Sequence, residues 1–218
     1  MYKGYKMFSG MESDLHALFV GAIAVTAVLN PFGNLPQFIS MTEGVKKPMR
    51  KKLFRNIVFT AFCIVLVFLF TGSFIMKYLF RVSLDDVRIA GGLILIVMSL
   101  KNLLFSSTIQ DFSSYQNLKF DELFRKSIIP MAFPMLVGPG TLATIIVIAE
   151  DKSMLVAIGA IMCAFLFMFS LFHYAATIEK IFGKLILYIF SRIALVFIIA
   201  MGVKMIISGL RGIGVITT

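Results

Sequence analysis

Ala27-Val28-Leu29-Asn30-Pro31-Phe32-Gly33-Asn34-Leu35-Pro36-Gln37 stands in the middle of an apolar run from about Leu15 to Met41. Two prolines, a glycine and two asparagines are poor material for an unbroken helix. Pro31 has no N–H, and its ring clashes with the carbonyl four residues back, at Ala27. Asn30, just before it, is pushed out of the α region. A helix broken here is expected to leave free carbonyls on one side and free N–H groups on the other. In lipid such groups are tolerated only where they are buried in protein or line a polar cavity.

The chain repeats the device. Ile128-Ile129-Pro130-Met131-Ala132-Phe133-Pro134-Met135-Leu136-Val137-Gly138-Pro139-Gly140-Thr141 interrupts a second apolar run. Two breaks in mid-membrane, one in each half of a chain, are the sequence pointer to a transporter binding site.

Composition places these runs in a bilayer. Of 218 residues, 59% are hydrophobic and 15% charged, and the mean hydropathy is +0.95. A soluble domain of this size has no use for so much apolar surface. The net charge of +10 does not mark a nucleic-acid binder, because the basic residues fall in short clusters between apolar runs. Cys63 and Cys163 lie inside apolar runs and read as small buried hydrophobes. There is no CxxC, and His16 and His173 are the only histidines, so neither a disulfide nor a metal site is expected. Lys3 and Lys6 precede an apolar stretch, but the run is too long for a signal peptide and is read as retained.

The expected fold is an all-α membrane protein of six transmembrane helices, forming a single transmembrane domain. Residues 1–14 form a polar lead, disordered or interfacial. Spans are expected over about 15–41, 57–80 and 89–105, then, after a cytoplasmic linker at 106–127, over about 128–149, from beyond 152 to 178, and over 193–213. Residues 179–191 are read as a re-entry segment. Breaks in spans one and four divide the chain into repeats at 15–105 and 128–213. Arg88-Ile89-Ala90 opens the third span and Arg192-Ile193-Ala194 the sixth, and Lys101 and Lys204 follow some dozen residues later. Three spans per repeat give the halves opposite orientations, a 3+3 inverted repeat. These identities are few, and chance remains an alternative for any one of them. Loops after spans one, three and five carry twelve Lys and Arg, against seven on the other side. The positive-inside rule then puts both termini outside.

The candidate site follows the breaks. Thr26, Asn30, Asn34 and Gln37 recur at intervals that share one helix face. Asn and Gln also serve as hydrogen-bonding glue between spans. A mirrored break shifts the reading to a cavity formed with Pro31 and Gly33. Gly138, Pro139, Gly140, Thr141 and Thr144 are the counterpart, where the glycines alternatively permit close packing. Gly91-Gly92 reads as a packing notch, and Lys101, Lys204 and His173 as side chains reaching for the interface. No Asp or Glu falls in the central part of a span. Hydrolase, ATPase and P-loop motifs are absent, so no enzyme and no cofactor are expected.

Asn30-Pro31-Phe32-Gly33-Asn34-Leu35-Pro36 followed by Thr42, with Pro130-Met131-Ala132-Phe133-Pro134 and Gly138-Pro139-Gly140, resembles the MarC family of six-span membrane proteins. The resemblance covers the chain from Leu15 to Ile213. It implies SnatA-like transport of small neutral amino acids such as glycine and alanine, within a wider group of LysE-type exporters. The expectation is a secondary transporter of the bacterial inner membrane with a small-molecule substrate, surrounded by membrane lipid and independent of nucleic acid. Half-helix N-termini near Phe32 and Gly140 would hold the substrate carboxylate. Carbonyls near Ala27 and Met135 would hold its ammonium. Coupling to Na+ or H+ and homo-oligomerisation stay open. The alternatives are a structural or regulatory membrane protein, an exporter of another small solute, and a membrane-embedded enzyme.

Overall fold

The computed structural model describes residues 2–42, 45–104 and 120–216. Those residues are mostly helical, with no strand among them. The helices are α1 (Tyr2–Leu29), α2 (Pro31–Met41), α3 (Lys47–Phe74), α4 (Leu84–Leu104), α5 (Phe120–Lys126), α6 (Pro139–Asp151), α7 (Met154–His173) and α8 (Ala175–Gly212). Between α5 and α6 lies an irregular segment, Ser127–Leu136. Five helical stretches among the described residues are long and apolar enough to cross a membrane. A sixth results if the bent pair Asp121–Leu136 and Pro139–Asp151 is one span.

Boundaries differ from the sequence expectation where polar residues join a helix. α1 reaches back to Tyr2, so the polar lead is helical backbone. α3 starts ten residues early, at Lys47, with Pro48 in its first turn, where a missing N–H leaves no bond unmade. Its last turns widen over Ile75–Phe80 and stop at Arg81, whose φ of 54° is a left-handed cap. α4 starts at Leu84 through a capping box. The Ser83 N–H donates to Asp86 Oδ2 at 2.9 Å, and the Asp86 N–H donates back to Ser83 Oγ at 3.2 Å. The expected re-entry segment at 179–191 is helical on both sides of a break at Gly183, where φ is 71°, and a stretch long enough to cross a membrane resumes at Leu185. Apolar residues continue through Leu185–Phe190, and nothing there stops a helix. Of the expected linker, residues 105–119 lie outside the described residues.

Packing between helices follows a pattern of exchanged partners. α4 and α8 run against each other along their lengths. α1 packs on α7, as the irregular segment packs on α3. α2 packs on α8, as α6 packs on α4. At the α4–α8 crossing a Cβ on Gly92 would sit 2.5 Å from the Gly202 carbonyl oxygen, and one on Gly202 would sit 2.7 Å from that of Gly92. Only glycine allows that approach, and close backbone approach is what holds helices together in lipid. Gly91-Gly92 is thus the packing notch its sequence suggests.

The main core joins both halves. It contains Leu29, Leu35 and Phe38 around the first break, and Met131, Ala132, Leu136 and Val137 around the second. Outward faces are apolar as well: Phe59, Val67 and Phe70 on α3 and Leu155 and Leu166 on α7 are exposed, as lipid-facing side chains are. Lys101 and Lys204 are also exposed and line no core.

Candidate functional site

The first break is one residue wide. α1 ends at Leu29, and Asn30 takes the left-handed conformation, with φ 44°. Asparagine tolerates that region better than other non-glycine residues, while the following proline disfavours the right-handed alternative. The Asn30 N–H donates to the Ala27 carbonyl at 3.0 Å. Asn30 Oδ1 accepts from the Gly33 N–H at 3.2 Å, so one residue ends α1 and caps α2. Asn34, buried, donates from Nδ2 to the Leu29 carbonyl at 2.8 Å. This corrects the expectation of a free carbonyl at Ala27. Both asparagines act as local glue: their side chains satisfy the backbone groups that the break exposes.

The other predicted residues of this half are less closely gathered. Thr26 is half-buried in α1, one turn before the break. Pro31 is buried at the first position of α2, where proline fits without loss. Gly33 lies under the Asn30 side chain and against α8; a Cβ there would approach Ser191 Oγ to 2.8 Å. Gln37 belongs to α2, and its side chain lies outside the described residues.

The second break is more than ten residues wide. Ile129 (φ −125°, ψ 121°) and Phe133 (φ −136°, ψ 130°) are extended inside the irregular segment. Gly138 (φ −94°, ψ 173°) is extended after it. Each precedes a proline, whose Cδ disfavours the helical conformation of the residue before it. The Phe133–Pro134 peptide is cis. The chain from Asp121–Leu136 into Pro139–Asp151 bends by 59°. Ala132, Leu136, Val137 and Gly138 are nonetheless buried. Extended backbone at Gly138 therefore lies in the protein interior, and just before it the Val137 N–H donates to the Ala132 carbonyl at 3.0 Å.

α6 begins without a side-chain cap, since Gly138 has none to offer. The Gly138 carbonyl accepts from the N–H groups of Thr141 and Leu142 at 3.0 and 3.2 Å. Thr141 and Thr144 are buried polar residues on this helix. The Thr144 hydroxyl donates to the Gly140 carbonyl at 2.8 Å, one turn back. A Cβ on Gly140 would overlap Leu95 of α4, so this glycine serves close packing. Pro139 is exposed at the start of α6.

The structure thus gathers the two sets around one apolar core while facing them differently, Gly33 towards α8 and Gly140 towards α4. Charged residues that the sequence reading left as loop anchors bind the ends of the bundle. Lys77 on the widened turns after α3 pairs with Glu150 at 2.6 Å, and Arg88 pairs with both Asp85 and Asp151. At the opposite end of α4, Arg192 donates to the carbonyls of Asn102 and Leu103 at 2.8 and 2.6 Å. Its guanidinium also stacks 4.5 Å from the Tyr188 ring centroid. A cation there complements the partial negative charge of a helix C-terminus. Asn56, just before the second apolar run and not singled out from the sequence, donates to Ser127 Oγ at 2.7 Å and ties α3 to the start of the irregular segment. No group of potential metal ligands occurs among the described residues.

Residues 15–214 match the family described as MarC family integral membrane protein. The chain belongs to the MarC family. The MarC match spans both breaks and every apolar stretch. Among its relatives is the UPF0056 membrane protein YvbG of Bacillus subtilis, 32% identical, covering 87% of this chain and 92% of that protein. UPF0056 membrane protein MJ1677 of Methanocaldococcus jannaschii is 28% identical over 91% of this chain and 98% of its own length. UPF0056 membrane protein YhcE of Escherichia coli is 28% identical over 92% and 94%. No solved structure matches this chain. The protein is an integral, multi-pass membrane protein built of helices.

Proposed function

We propose that this MarC protein is a secondary transporter of small neutral amino acids of the glycine and alanine type, with its substrate held at the second break. The observation that carries the reading is the buried, unwound backbone before α6, next to a helix start without a side-chain cap. A helix N-terminus offers N–H donors and a partial positive charge to a carboxylate. Extended backbone nearby offers carbonyls to an ammonium. A zwitterion needs both and no charged side chain, and no carboxylate side chain lies at the break.

The exchanged packing partners support a 3+3 inverted repeat, in which the breaks of spans one and four lie near the bilayer midplane. In this reading the first break hinges and seals, and the second binds. Thr141 and Thr144 flank the site, and Gly140 keeps α4 close. The protein performs no chemistry, sits in a bacterial inner membrane and has both termini outside. Carbonyls and hydroxyls would hold a coupling Na+, if one is used. The substrate class rests on the resemblance to SnatA-like transporters, and an exporter of another small solute would fit the same architecture. Uptake of labelled alanine into proteoliposomes, competed by a panel of amino acids, tests the reading. Alanine or glycine should enter and compete. A protein that moves neither, while correctly folded, serves another solute or a structural role.

A further inference from the structure

α4 meets the second break with two side chains of opposite character. Leu95 is 4% exposed and stands where a Cβ on Gly140 would overlap it. Met98, one turn further on the same side, is 39% exposed and reaches Gly138. A Cβ on Gly138 would lie 3.5 Å from Met98 Cε and 3.8 Å from its Sδ, with the Pro134 carbonyl oxygen at 3.4 Å. These are ordinary contacts. At every other buried glycine of the described residues a Cβ would come within 3.2 Å of a neighbouring atom. Neither its neighbours nor its extended backbone (φ −94°, ψ 173°) require glycine at 138. The space beside it is bounded by an unbranched thioether with three rotatable bonds, which can swing aside.

The start of α6 has polar groups to spare. The Thr144 hydroxyl donates to the Gly140 carbonyl, but the hydroxyl of Thr141, a residue only 2% exposed, has no partner among the described residues. Helical side chains lean towards the N-terminus, which carries that hydroxyl over the first turn. The Thr141 and Leu142 N–H groups donate to the Gly138 carbonyl, and Pro139 has none to offer. The Gly140 N–H remains, likewise without a partner among the described residues. Polar groups buried in this way are costly until a ligand meets them.

We propose that Met98 sets the size of substrate admitted at the second break, while the Thr141 hydroxyl and the Gly140 N–H hold the substrate carboxylate. The inference rests on the transport reading above and adds to it the residue that selects among neutral amino acids. A substrate held at the first turn of α6 lies between that turn and Met98, so a growing side chain meets the thioether first. A hydrogen or a methyl group needs only a small shift of Met98. An isobutyl group needs the volume that the thioether fills. A wall of this kind separates neighbouring substrates by about 10–200-fold per methylene.

The test is uptake of labelled alanine by the full chain in proteoliposomes, competed by glycine, valine or leucine. In the parent, glycine should compete and leucine should not. Met98→Ala should lower the leucine concentration that halves alanine uptake by at least about tenfold, and labelled leucine should then enter. Met98→Phe should act in the opposite sense, weakening alanine more than glycine, and decides the matter if Met98→Ala does not fold. Thr141→Val, of the same shape, should lower uptake of alanine and glycine alike by about tenfold, with their ranking kept. A parent that moves neither alanine nor glycine overturns the transport reading and this inference with it. A parent that moves them, with the ranking of amino acids unchanged in the Met98 variants, overturns this inference alone and leaves Met98 a packing residue. Undiminished alanine uptake by Thr141→Val overturns it as well.

Discussion

The two helix breaks are built from different residues and end in different states. At the first, asparagine supplies what proline removes: Asn30 adopts a positive φ, caps α2, and leaves Asn34 to satisfy the Leu29 carbonyl. The break closes on itself within one residue. At the second, three prolines follow apolar residues or glycine, which have no polar side chain to lend. Ile129, Phe133 and Gly138 are held extended, and α6 starts uncapped. Proline opens a helix in both places. The neighbouring residues decide whether a polar side chain is at hand for the backbone groups that proline exposes.

The strongest way to break this comparison is Asn34→Leu. The buried Leu29 carbonyl would lose its donor, and stability should fall by about 1–3 kcal/mol. Thermal denaturation in detergent measures it. Loss of alanine-induced stabilisation with an unchanged melting temperature would instead make Asn34 a ligand group, and the first break a binding site.

Gly140→Ala sharpens the other side. Its Cβ would overlap Leu95, and the strain should cost about 1–2 kcal/mol. Leu95→Ala in the same chain should recover part of that loss, as for any two residues in contact. Recovery of stability and of flux together marks Gly140 as a packing residue. Stability recovered without flux would place it in the site.

Asn30→Ala should cost about 1 kcal/mol, through the lost cap and the strained φ. Asn30→Gly should cost only a few tenths, because glycine accepts the conformation. Equal losses in the two variants would mean that the Asn30 side chain matters more than its backbone. The smallest effect is expected at Lys204, exposed on α8. Lys204→Met should change stability by less than about 0.5 kcal/mol and leave flux nearly intact. A clear loss of flux at normal expression would bring that lysine into the transport path.

Much of this was legible in the sequence because lipid makes strong demands on backbone. A proline in a long apolar run is a signal for an interruption, and both interruptions lie at residues that carry it, Asn30-Pro31 and the 127–138 segment, although α2 runs on through Pro36. The helix starts were less legible. Lys47–Arg55 and Asp85–Arg88 read as loops because charge masks helix, yet proline in the first turn and the Ser83–Asp86 box begin helices there. The site was the least legible part. Four polar residues at helical spacing suggested a cavity, but spacing does not say whether an amide points to a ligand or back to its own chain. Asn34 points back.

The central claim is that the open break, not the sealed one, holds the substrate, and Pro31→Ala against Pro139→Ala tests it most directly. Pro31 occupies a first helical position next to a cap that other residues maintain, so its replacement should leave labelled-alanine flux in proteoliposomes close to that of the parent. Pro139 keeps Gly138 extended; without it α6 can lengthen backwards and cover its own N–H groups. The account predicts that Pro139→Ala keeps its expression and melting temperature but loses most of its flux. Equal loss in both variants, or a greater loss in Pro31→Ala, would contradict it.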